Sequence, residues 1–430
     1  MRPLPILLLC AAVAQADPSP KRGICFNKIA PADLAALSPG VSWAYNWGVE
    51  KPGAFDDPRA KGVEFLPMAW GPQQGFRDKL EALLAAGPKP SAVLGLNEPN
   101  LREQAFQSPE EAAKSWRELD ALCKRHGVRL VAPHWSMGSP EAASWRGFDP
   151  VQGKEVVHTF FLPYLDSFEW YLKEAGPEKP AAMGLHVYGN IGELRWIVGE
   201  LAKRYPATPI WITEFNWFDV PDEAAALDYM VQALDTLERA PNVERYAWFK
   251  ADFGSSHNGL IAPGGGLTKL GRLYAAMPHP DPKRWDAWPG VVKAAGAARV
   301  ETGDGAGVRY DPEAQVVVQI GEPDSGRTGS FTLQVDVAAP GGDGTLVVSA
   351  ARGRTLRVAV DDPDVRAGRL SAAPGREIKP FEPGKWGFQD YVLPLRLAPG
   401  RHTLTFSADA ADALFDWVSW TRPNPRTEPD

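Results

Sequence analysis

Short β-rich runs alternate with helical stretches from residue 23 to about residue 280, and this alternation constrains the fold more than any other feature. The runs cover residues 23–27, 41–47, 64–70, 92–98, 128–135, 183–189, 209–215 and 245–252. The stretches between them have helical periodicity, as in 108–127, where Ser108 is placed to cap a helix that ends at Gly127. Eight such units in about 250 residues predict a (β/α)8 barrel, an α/β fold. An open doubly wound sheet is the competing fold, but no glycine-rich turn follows the first run.

The pattern changes beyond residue 280. Residues 277–293 carry four prolines and no periodicity, which predicts a linker at 281–293. From 294 to 423, short alternating runs are separated by Gly, Pro and Asp, and helical periodicity is nearly absent. We therefore predict a (β/α)8 catalytic domain at 17–280, an all-β, jelly-roll-like sandwich at 294–423 and a tail at 424–430.

The first sixteen residues have the pattern of a secretory signal peptide. Arg2 precedes an apolar run at 4–13, and the tripeptide AQA at 14–16 matches a small-x-small cleavage pattern. The run is too short to span a bilayer. We expect cleavage after Ala16 and a secreted or periplasmic mature protein without membrane association. Cys10 raises the alternative of a lipoprotein, but the residue before it is not small.

Charge and cysteine content exclude several classes of protein. The formal net charge is −7 and neither sign forms a long run, so no nucleic-acid partner is expected. After Cys10 leaves with the signal peptide, Cys25 and Cys123 remain, which is too few for a disulfide framework. The histidines have no metal-ligand spacing, so we expect neither a metal nor another cofactor. We also expect a monomer.

Polar side chains collect at the ends of the β-rich runs. They are Asn46, Asn97, Glu98, His134, His186, Tyr188, Glu214, Asn216, Lys250 and Asp252. Active sites of (β/α)8 enzymes lie at the carboxyl ends of the strands, so these side chains are candidates for a single site. Glu214 continues the face formed by Ile210 and Ile212, which places its carboxylate at the mouth of the predicted barrel.

Glu98 and Glu214 match the two carboxyl groups that cleavage of a glycosidic bond requires. One carboxyl group protonates the leaving oxygen, and the other attacks or assists at the anomeric carbon. The fourth and seventh runs end across the barrel mouth from each other, so the two side chains can meet there. A structural ion pair is the alternative for either glutamate alone, but two glutamates at equivalent strand ends favour catalysis.

The chain is rich in tryptophan, and indole faces stack well on sugar rings. Most of the 16 tryptophans are expected to be core residues. Four lie at strand ends, where a glycan could stack: Trp47, Trp70, Trp217 and Trp248. With Asn46, they are predicted to bind substrate.

Several motifs resemble those of a known family. LGLNEPN (94–100) and IWITEF (210–215) resemble the acid/base and nucleophile motifs of clan A glycoside hydrolases. The similarity is closer to glycoside hydrolase family 128, the endo-β-1,3-glucanases, also described as a glycosyl hydrolase catalytic core. The further motifs are SWAYNWG (42–48), EFLPMAWG (64–71), SPEEAAKSW (108–116), HVYG (186–189) and LTKLGRLY (267–274).

This resemblance implies roles for individual residues. Glu98 would be the acid/base and Glu214 the nucleophile of a retaining enzyme that cleaves a β-glucan. Asn97 would bind the sugar 2-hydroxyl, Tyr188 would hold Glu214 through its hydroxyl, and His186 would support that arrangement. The chemistry further predicts that Glu98 stays protonated near neutral pH while Glu214 is ionised.

Two positions depart from the family pattern. Asn100 stands where the family usually has Asp, and Val187 stands where it usually has Trp. Neither departure touches the carboxylate pair. They concern the shape of the sugar-binding subsites, and therefore the preferred chain length or branching of the substrate.

The C-terminal region resembles carbohydrate-binding modules of families 6 and 35. The motifs are at 385–406 and LFDWVSW (414–420). Leu414 stands where these modules often have a sugar-binding Asn, and Trp386 is a candidate platform or a core residue. Some relatives hold calcium, for which Glu301 and Asp416 would be too few ligands.

Two other functions remain open at the level of sequence. The same chemistry could act on another β-glycan, such as a mannan or a mixed-linkage glucan, because specificity lies in the loops. A non-catalytic sugar-binding protein is the alternative from another class. The presence of both Glu98 and Glu214 argues against it.

Overall fold

The structure is a computed structural model that forms two compact units, residues 17–276 and 277–430. The residues that it describes are 18–137, 145–149, 153–158, 161–176, 179–254, 257–281, 283, 285–296, 299–301, 307–312, 314–320, 329–351, 356–361, 368–372, 388–408 and 413–421. The predicted signal peptide, the predicted tail and Trp386 lie outside them. Among the described residues, no helix has both the length and the apolar character needed to cross a membrane.

The first unit alternates strands with helices along the chain. Its elements are β1 (Arg22–Cys25), α1 (Pro31–Leu37), β2 (Trp43–Tyr45), β3 (Glu64–Phe65), α2 (Gln74–Ala86), β4 (Ala92–Val93), α3 (Pro109–Arg125), β5 (Arg129–Leu130), β6 (His134–Ser136), β7 (Trp145–Asp149), β8 (Lys154–His158), α4 (Phe161–Ala175), β9 (Met183–Tyr188), α5 (Ile191–Arg204), β10 (Ile210–Asn216), α6 (Glu223–Arg239), β11 (Val243–Trp248) and α7 (Lys269–Ala276). The fold is therefore mixed α/β.

The strands of the first unit pair in parallel, apart from the antiparallel hairpin β7–β8. A seven-stranded sheet has the order β3-β2-β1-β11-β10-β9-β6. β4 and β5 form a further parallel pair. Parallel bridges join Met68 to Leu94 and Asn97 to His134. Because parallel strands point the same way, their carboxyl ends lie along one edge, and the polar side chains that follow them can form one site.

Several strands are shorter than the β-rich runs that predicted them. β3 ends at Phe65, and Pro67 in the same run has no N–H to donate to a neighbouring strand. The Pro67 carbonyl still accepts the backbone N–H of Leu94 at 2.9 Å, so the chain remains hydrogen-bonded to its neighbour beyond the end of β3.

Helix α3 shows how local sequence determines an element. The Ser108 hydroxyl accepts the Glu111 N–H, and the Glu111 carboxylate accepts the Ser108 N–H, which forms a capping box. Pro109 occupies the first turn, where its missing N–H costs nothing. Gly127 follows the helix with a φ of 69°, a conformation that suits glycine. These contacts agree with the helix predicted from the sequence.

Apart from one 3-10 turn at Ala294–Gly296, the regular elements described in the second unit are strands. They are β12 (Asp286–Trp288), β13 (Gly290–Lys293), β14 (Arg299–Glu301), β15 (Gly307–Asp311), β16 (Gln315–Ile320), β17 (Ser330–Val337), β18 (Gly342–Ala351), β19 (Leu356–Val360), β20 (Gly368–Ala372), β21 (Gln389–Leu397), β22 (Gly400–Ala408) and β23 (Ala413–Thr421). All their pairings are antiparallel except that of β12 with β17.

Alternation of buried and accessible residues along β17 and β22 shows that one face of these strands packs inward. The ring of Phe331 on β17 stacks on Phe406 of β22 at 4.9 Å between centroids, and it meets Phe415 of β23 edge-on at 5.0 Å. Asp416 of β23 contacts the ammonium group of Lys293.

Candidate active site

Glu98 and Glu214 come together at the carboxyl ends of the parallel strands. The backbone N–H of Glu98 donates to the His134 carbonyl at 2.8 Å, and Glu214 lies within β10 opposite His186 of β9. One oxygen of each glutamate and one ring nitrogen of His186 all lie within 4.8 Å of one another. Glu98 is 5% exposed and Glu214 is 3% exposed. The sequence separates the two glutamates by more than a hundred residues, and the fold makes them neighbours.

Glu98 has a φ of 45°, in the left-handed region that non-glycine residues rarely adopt. Trp47, at the end of the second run, has a φ of 60°. Such conformations cost about 1–3 kcal/mol each and are concentrated at functional sites, because the surrounding structure must enforce them. Here both side chains belong to one group of residues around the two carboxylates, which we call the carboxylate cluster: Glu98 supplies one carboxylate, and Trp47 donates to the other, that of Glu214.

Three donors surround the carboxylate of Glu214. Its Oε1 accepts the Tyr45 hydroxyl at 2.9 Å and the Trp47 indole N–H at 2.7 Å. Its Oε2 accepts the hydroxyl of Tyr188, which is the contact that the sequence had led us to expect. Three donors on one buried carboxyl group stabilise its ionised form, because a carboxylate accepts at both oxygens.

The imidazole of His186 lies between the two glutamates. Its Nδ1 is 2.8 Å from Glu98 Oε1 and 3.4 Å from Glu214 Oε2. Burial acts to lower the pKa of His186, but the negative charges of Glu214 and Glu98 outweigh burial, and the net pKa is raised. His186 therefore favours its cationic form and can serve as a counter-ion to both carboxylates.

A second imidazole, that of His134, packs against His186 with ring centroids 5.8 Å apart. Burial, with a further contribution from the charge on His186, holds the pKa of His134 well below its usual value. The His134 Nδ1 bonds to the Thr213 hydroxyl at 2.9 Å. A Cβ on Gly184 would lie 2.3 Å from that same nitrogen, so only glycine leaves room for the ring.

The pKa of Glu214 is raised above its ordinary value. Burial is the main cause, and the negative charge of Glu98 acts in the same direction. The charge of His186 and the hydrogen bonds from Tyr188 and Trp47 oppose the rise. The sequence identified Tyr188 as a hydrogen-bond donor to Glu214. It could not show how deeply Glu214 is buried, and the effect of burial on its pKa outweighs that of the donors.

The loop that follows Glu98 fixes two asparagine side chains. Asn97 Nδ2 donates to Gln104 Oε1 at 3.0 Å. Asn100 bonds twice to the backbone of Ser136: its Nδ2 donates to the carbonyl at 2.8 Å, and its Oδ1 accepts the N–H at 3.1 Å. An ionised Asp at position 100 could only accept, so this double contact requires the amide found here.

Comparison with known proteins identifies the first unit. The family described as "Glycosyl hydrolase catalytic core" matches residues 23–274. A crystal structure of a family 128, subgroup II endo-β-1,3-glucanase from Pseudomonas viridiflava is 31% identical, with a TM-score of 0.50, and the match covers 60% of this chain and 98% of that one. The corresponding subgroup II enzyme from Sorangium cellulosum is 27% identical, with a TM-score of 0.51, over 60% of this chain and 99% of that one. The chain belongs to glycoside hydrolase family 128. No curated protein matches it.

The family 128 enzyme does not use Trp248 as the sequence had predicted. Trp248 is completely buried, its indole N–H donates to the Asn258 carbonyl at 2.8 Å, and its ring meets Phe215 edge-on at 5.1 Å. A ring without exposed surface cannot stack on a glucan, so its assignment to substrate binding is wrong. The residue points into the core because strand residues alternate between two faces.

Four other predicted substrate-binding residues remain partly accessible. Trp47, Trp70 and Trp217 are half-buried, and Trp47 also donates to the Glu214 carboxylate. Asn46 is half-buried, with its Oδ1 accepting the Gly48 N–H at 3.2 Å. Contact of these four side chains with a sugar stays a prediction.

Sequence reasoning missed several residues of the site. Tyr45 donates to Glu214. A signal for it existed, since Tyr45 and Trp47 are two residues apart in the second β-rich run, a spacing that predicts the same side of a strand. Phe249 packs edge-on against Tyr188 at 5.3 Å, and Phe218 stacks on Tyr188 at 4.8 Å while remaining 45% exposed. No motif in the sequence marks these two phenylalanines as neighbours of Tyr188.

Glu98, His186 and Glu214 could each offer one atom to a metal ion. In the described structure, however, His186 Nδ1 contacts Glu98 Oε1, and both oxygens of Glu214 accept hydrogen bonds. The chemistry of the set is that of two carboxyl groups and a counter-ion, which suffices for acid/base and nucleophilic catalysis without a cofactor.

Proposed function

We propose that the chain is a secreted or periplasmic endo-β-1,3-glucanase that retains anomeric configuration, with Glu98 as acid/base and Glu214 as nucleophile. One carboxylate oxygen of Glu98 lies within 4.8 Å of one carboxylate oxygen of Glu214, and this proximity carries the proposal. Retaining enzymes place their two carboxyl groups roughly 5–5.5 Å apart, whereas inverting enzymes need about 6.5–9.5 Å to accommodate a water. The substrate class follows from the endo-β-1,3-glucanase activity named for the two subgroup II relatives.

We also propose that the first unit closes into a (β/α)8 barrel. Support comes from β1, which pairs with both β2 and the last strand β11, so that the sheet has no edge there. On the other side, the bridges Met68–Leu94 and Asn97–His134 connect β3 to β4 and β4 to β6. A closed ring places the ends of β4 and β10 across one opening, where a glucan chain could lie.

In the proposed reaction, His186 occupies Glu98 Oε1, which leaves Oε2 to carry the proton to the leaving oxygen. Glu214 attacks the anomeric carbon as the glycosidic bond breaks, and a glycosyl ester forms. Glu98, now ionised, takes a proton from water, and the water attacks the same carbon and releases Glu214. The donors Tyr45 and Trp47 on Glu214 Oε1 can remain on that oxygen while Oε2 reacts.

The remaining parts of the proposal concern the rest of the chain. A signal peptide would be removed after Ala16, and the mature monomer would comprise the catalytic domain to residue 280, a linker at 281–293 and a β-sandwich at 294–423. The antiparallel pairing and the inward-facing rings of the second unit support the sandwich. We propose that it resembles a carbohydrate-binding module.

The test uses the full chain with laminarin, curdlan, mixed-linkage glucan and mannan. We expect cleavage of the β-1,3-linked glucans, and NMR should show the β-anomer as the first product. Glu214→Gln should abolish turnover while retaining binding. On an aryl β-laminaribioside, whose activated leaving group needs no acid, azide should restore activity to Glu98→Gly because it attacks the glycosyl-enzyme without a general base. Glu103→Gln, an exposed glutamate in the same loop, is the matched control. Release of the α-anomer first, or full activity of Glu214→Gln, would refute the assignment.

A further inference from the structure

The amide of Asn97 lies buried beside Glu98 with one polar atom unused. Its Nδ2 donates to Gln104, but its Oδ1 has no hydrogen-bond partner among the described residues. Asn97 is only 3% exposed. A buried acceptor without a partner is costly, and in an active site it marks a position where a donor on the ligand can bind.

The backbone places Gln104 against this amide. The Leu101 N–H donates to the Glu98 carbonyl at 2.9 Å, and the Gln104 N–H donates to the Leu101 carbonyl at 3.2 Å. The Ala105 N–H then returns to the Asn97 carbonyl at 3.1 Å. These bonds fold the loop back on its own start, so Gln104 has a fixed position beside Asn97.

We propose that Gln104 is a positioning residue that turns the Asn97 amide so that Oδ1 accepts the 2-hydroxyl of the glucosyl unit being cleaved. The inference rests on the proposed function. An amide has two orientations that differ by a half-turn, and Gln104 Oε1 selects the one in which Nδ2 faces the loop. Oδ1 is then the amide atom left to accept a hydrogen bond from the substrate. The 2-hydroxyl is adjacent to the anomeric carbon, and its hydrogen bond strengthens in the transition state.

The test compares an aryl β-laminaribioside with its analogue that has hydrogen in place of the 2-hydroxyl on the sugar attached to the aryl group. The measured quantity is the ratio of kcat/KM for the two substrates, which cancels the intrinsic reactivity of each when variants are compared. We expect Gln104→Leu to lower the wild-type ratio by about tenfold. Gln104→Glu, which still accepts from Nδ2, should restore the ratio to within about twofold of wild type.

Gln107→Leu is the matched control. Gln107 lies in the same loop, but its amide donates to the Ser115 hydroxyl at 2.8 Å. Its loss should leave the ratio unchanged even where it lowers stability. An unchanged kcat/KM ratio in Gln104→Leu would overturn the inference. A ratio that falls in Gln104→Glu but not in Gln104→Leu would also overturn it, because that result would mean that the Asn97 amide has the opposite orientation. A wild type that cleaves neither substrate would instead contradict the proposed function.

Discussion

Replacement of Tyr45 by Phe tests whether the hydrogen bonds around Glu214 determine its reactivity. Tyr45 is completely buried, so the change removes a hydroxyl without exposing a surface or removing a sugar contact. That hydroxyl is 2.9 Å from Glu214 Oε1 and 3.2 Å from the Thr213 carbonyl. Burial, followed by the charge of Glu214, raises the pKa of Tyr45 well above its usual value, so the hydroxyl stays a neutral donor throughout the working range.

The size of the effect follows from the charge of the acceptor. A hydrogen bond to a charged group contributes about 1.5–3 kcal/mol, and about 1.4 kcal/mol corresponds to tenfold in rate. We therefore expect kcat/KM of Tyr45→Phe on laminarin to fall about 10- to 100-fold. Losing a donor to the ionised form raises the pKa of Glu214 further, so the acidic limb of the pH profile should move to higher pH.

The assay is kcat/KM on laminarin as a function of pH, with Tyr246→Phe as the control. Tyr246 is also a buried tyrosine, and its hydroxyl donates to Glu238 at 2.5 Å, away from the carboxylate cluster. Tyr246→Phe should lower stability without moving the acidic limb. Our reasoning fails if Tyr45→Phe keeps the wild-type profile and a kcat/KM within about twofold of wild type.

Three further predictions follow from other contacts. Gly184→Ala places a Cβ 2.3 Å from His134 Nδ1 and should cost about 1–3 kcal/mol in a urea titration, whereas Gly199→Ala, on α5 with no atom within 4 Å, should be neutral or stabilising. Trp248→Ala should lower the free energy of unfolding by about 3–5 kcal/mol because it empties a fully buried volume; a changed KM at unchanged stability would contradict its core position. His186→Asn should slow both formation and hydrolysis of the glycosyl-enzyme in stopped-flow measurements, and an effect on one step alone would refute its role toward both glutamates.

The alternation of strands and helices was predictable because it depends on local patterns. The capping residues of α3 and the strand at 330–337 required only periodicity and a few cap residues. Glu98 and Glu214 were identifiable for a related reason: a polar residue that ends an apolar run stands out in a single sequence. The motifs shared with the family then connected two positions far apart in the chain.

What sequence could not supply is the direction and burial of each side chain. Trp248 and Trp47 both lie near strand ends, yet one is enclosed in the core and the other reaches the Glu214 carboxylate. The raised pKa of Glu214 likewise depends on desolvation, which is a property of the assembled fold. No sequence pattern pointed to Gln104, because it contacts Asn97, seven residues earlier, only after the loop between them has folded back.

The position of His186 explains how one buried site can accommodate both halves of the proposed reaction. The proposed reaction begins with Glu98 as the proton donor, Glu214 as the anionic nucleophile and His186 as a cation, and these charges sum to zero. In the glycosyl-enzyme, Glu214 is an uncharged ester and Glu98 is ionised, so the sum is again zero. Because His186 Nδ1 contacts Glu98 at 2.8 Å and Glu214 at 3.4 Å, its charge faces whichever carboxylate is ionised. An unpaired buried charge, which would cost several kcal/mol, therefore arises in neither state.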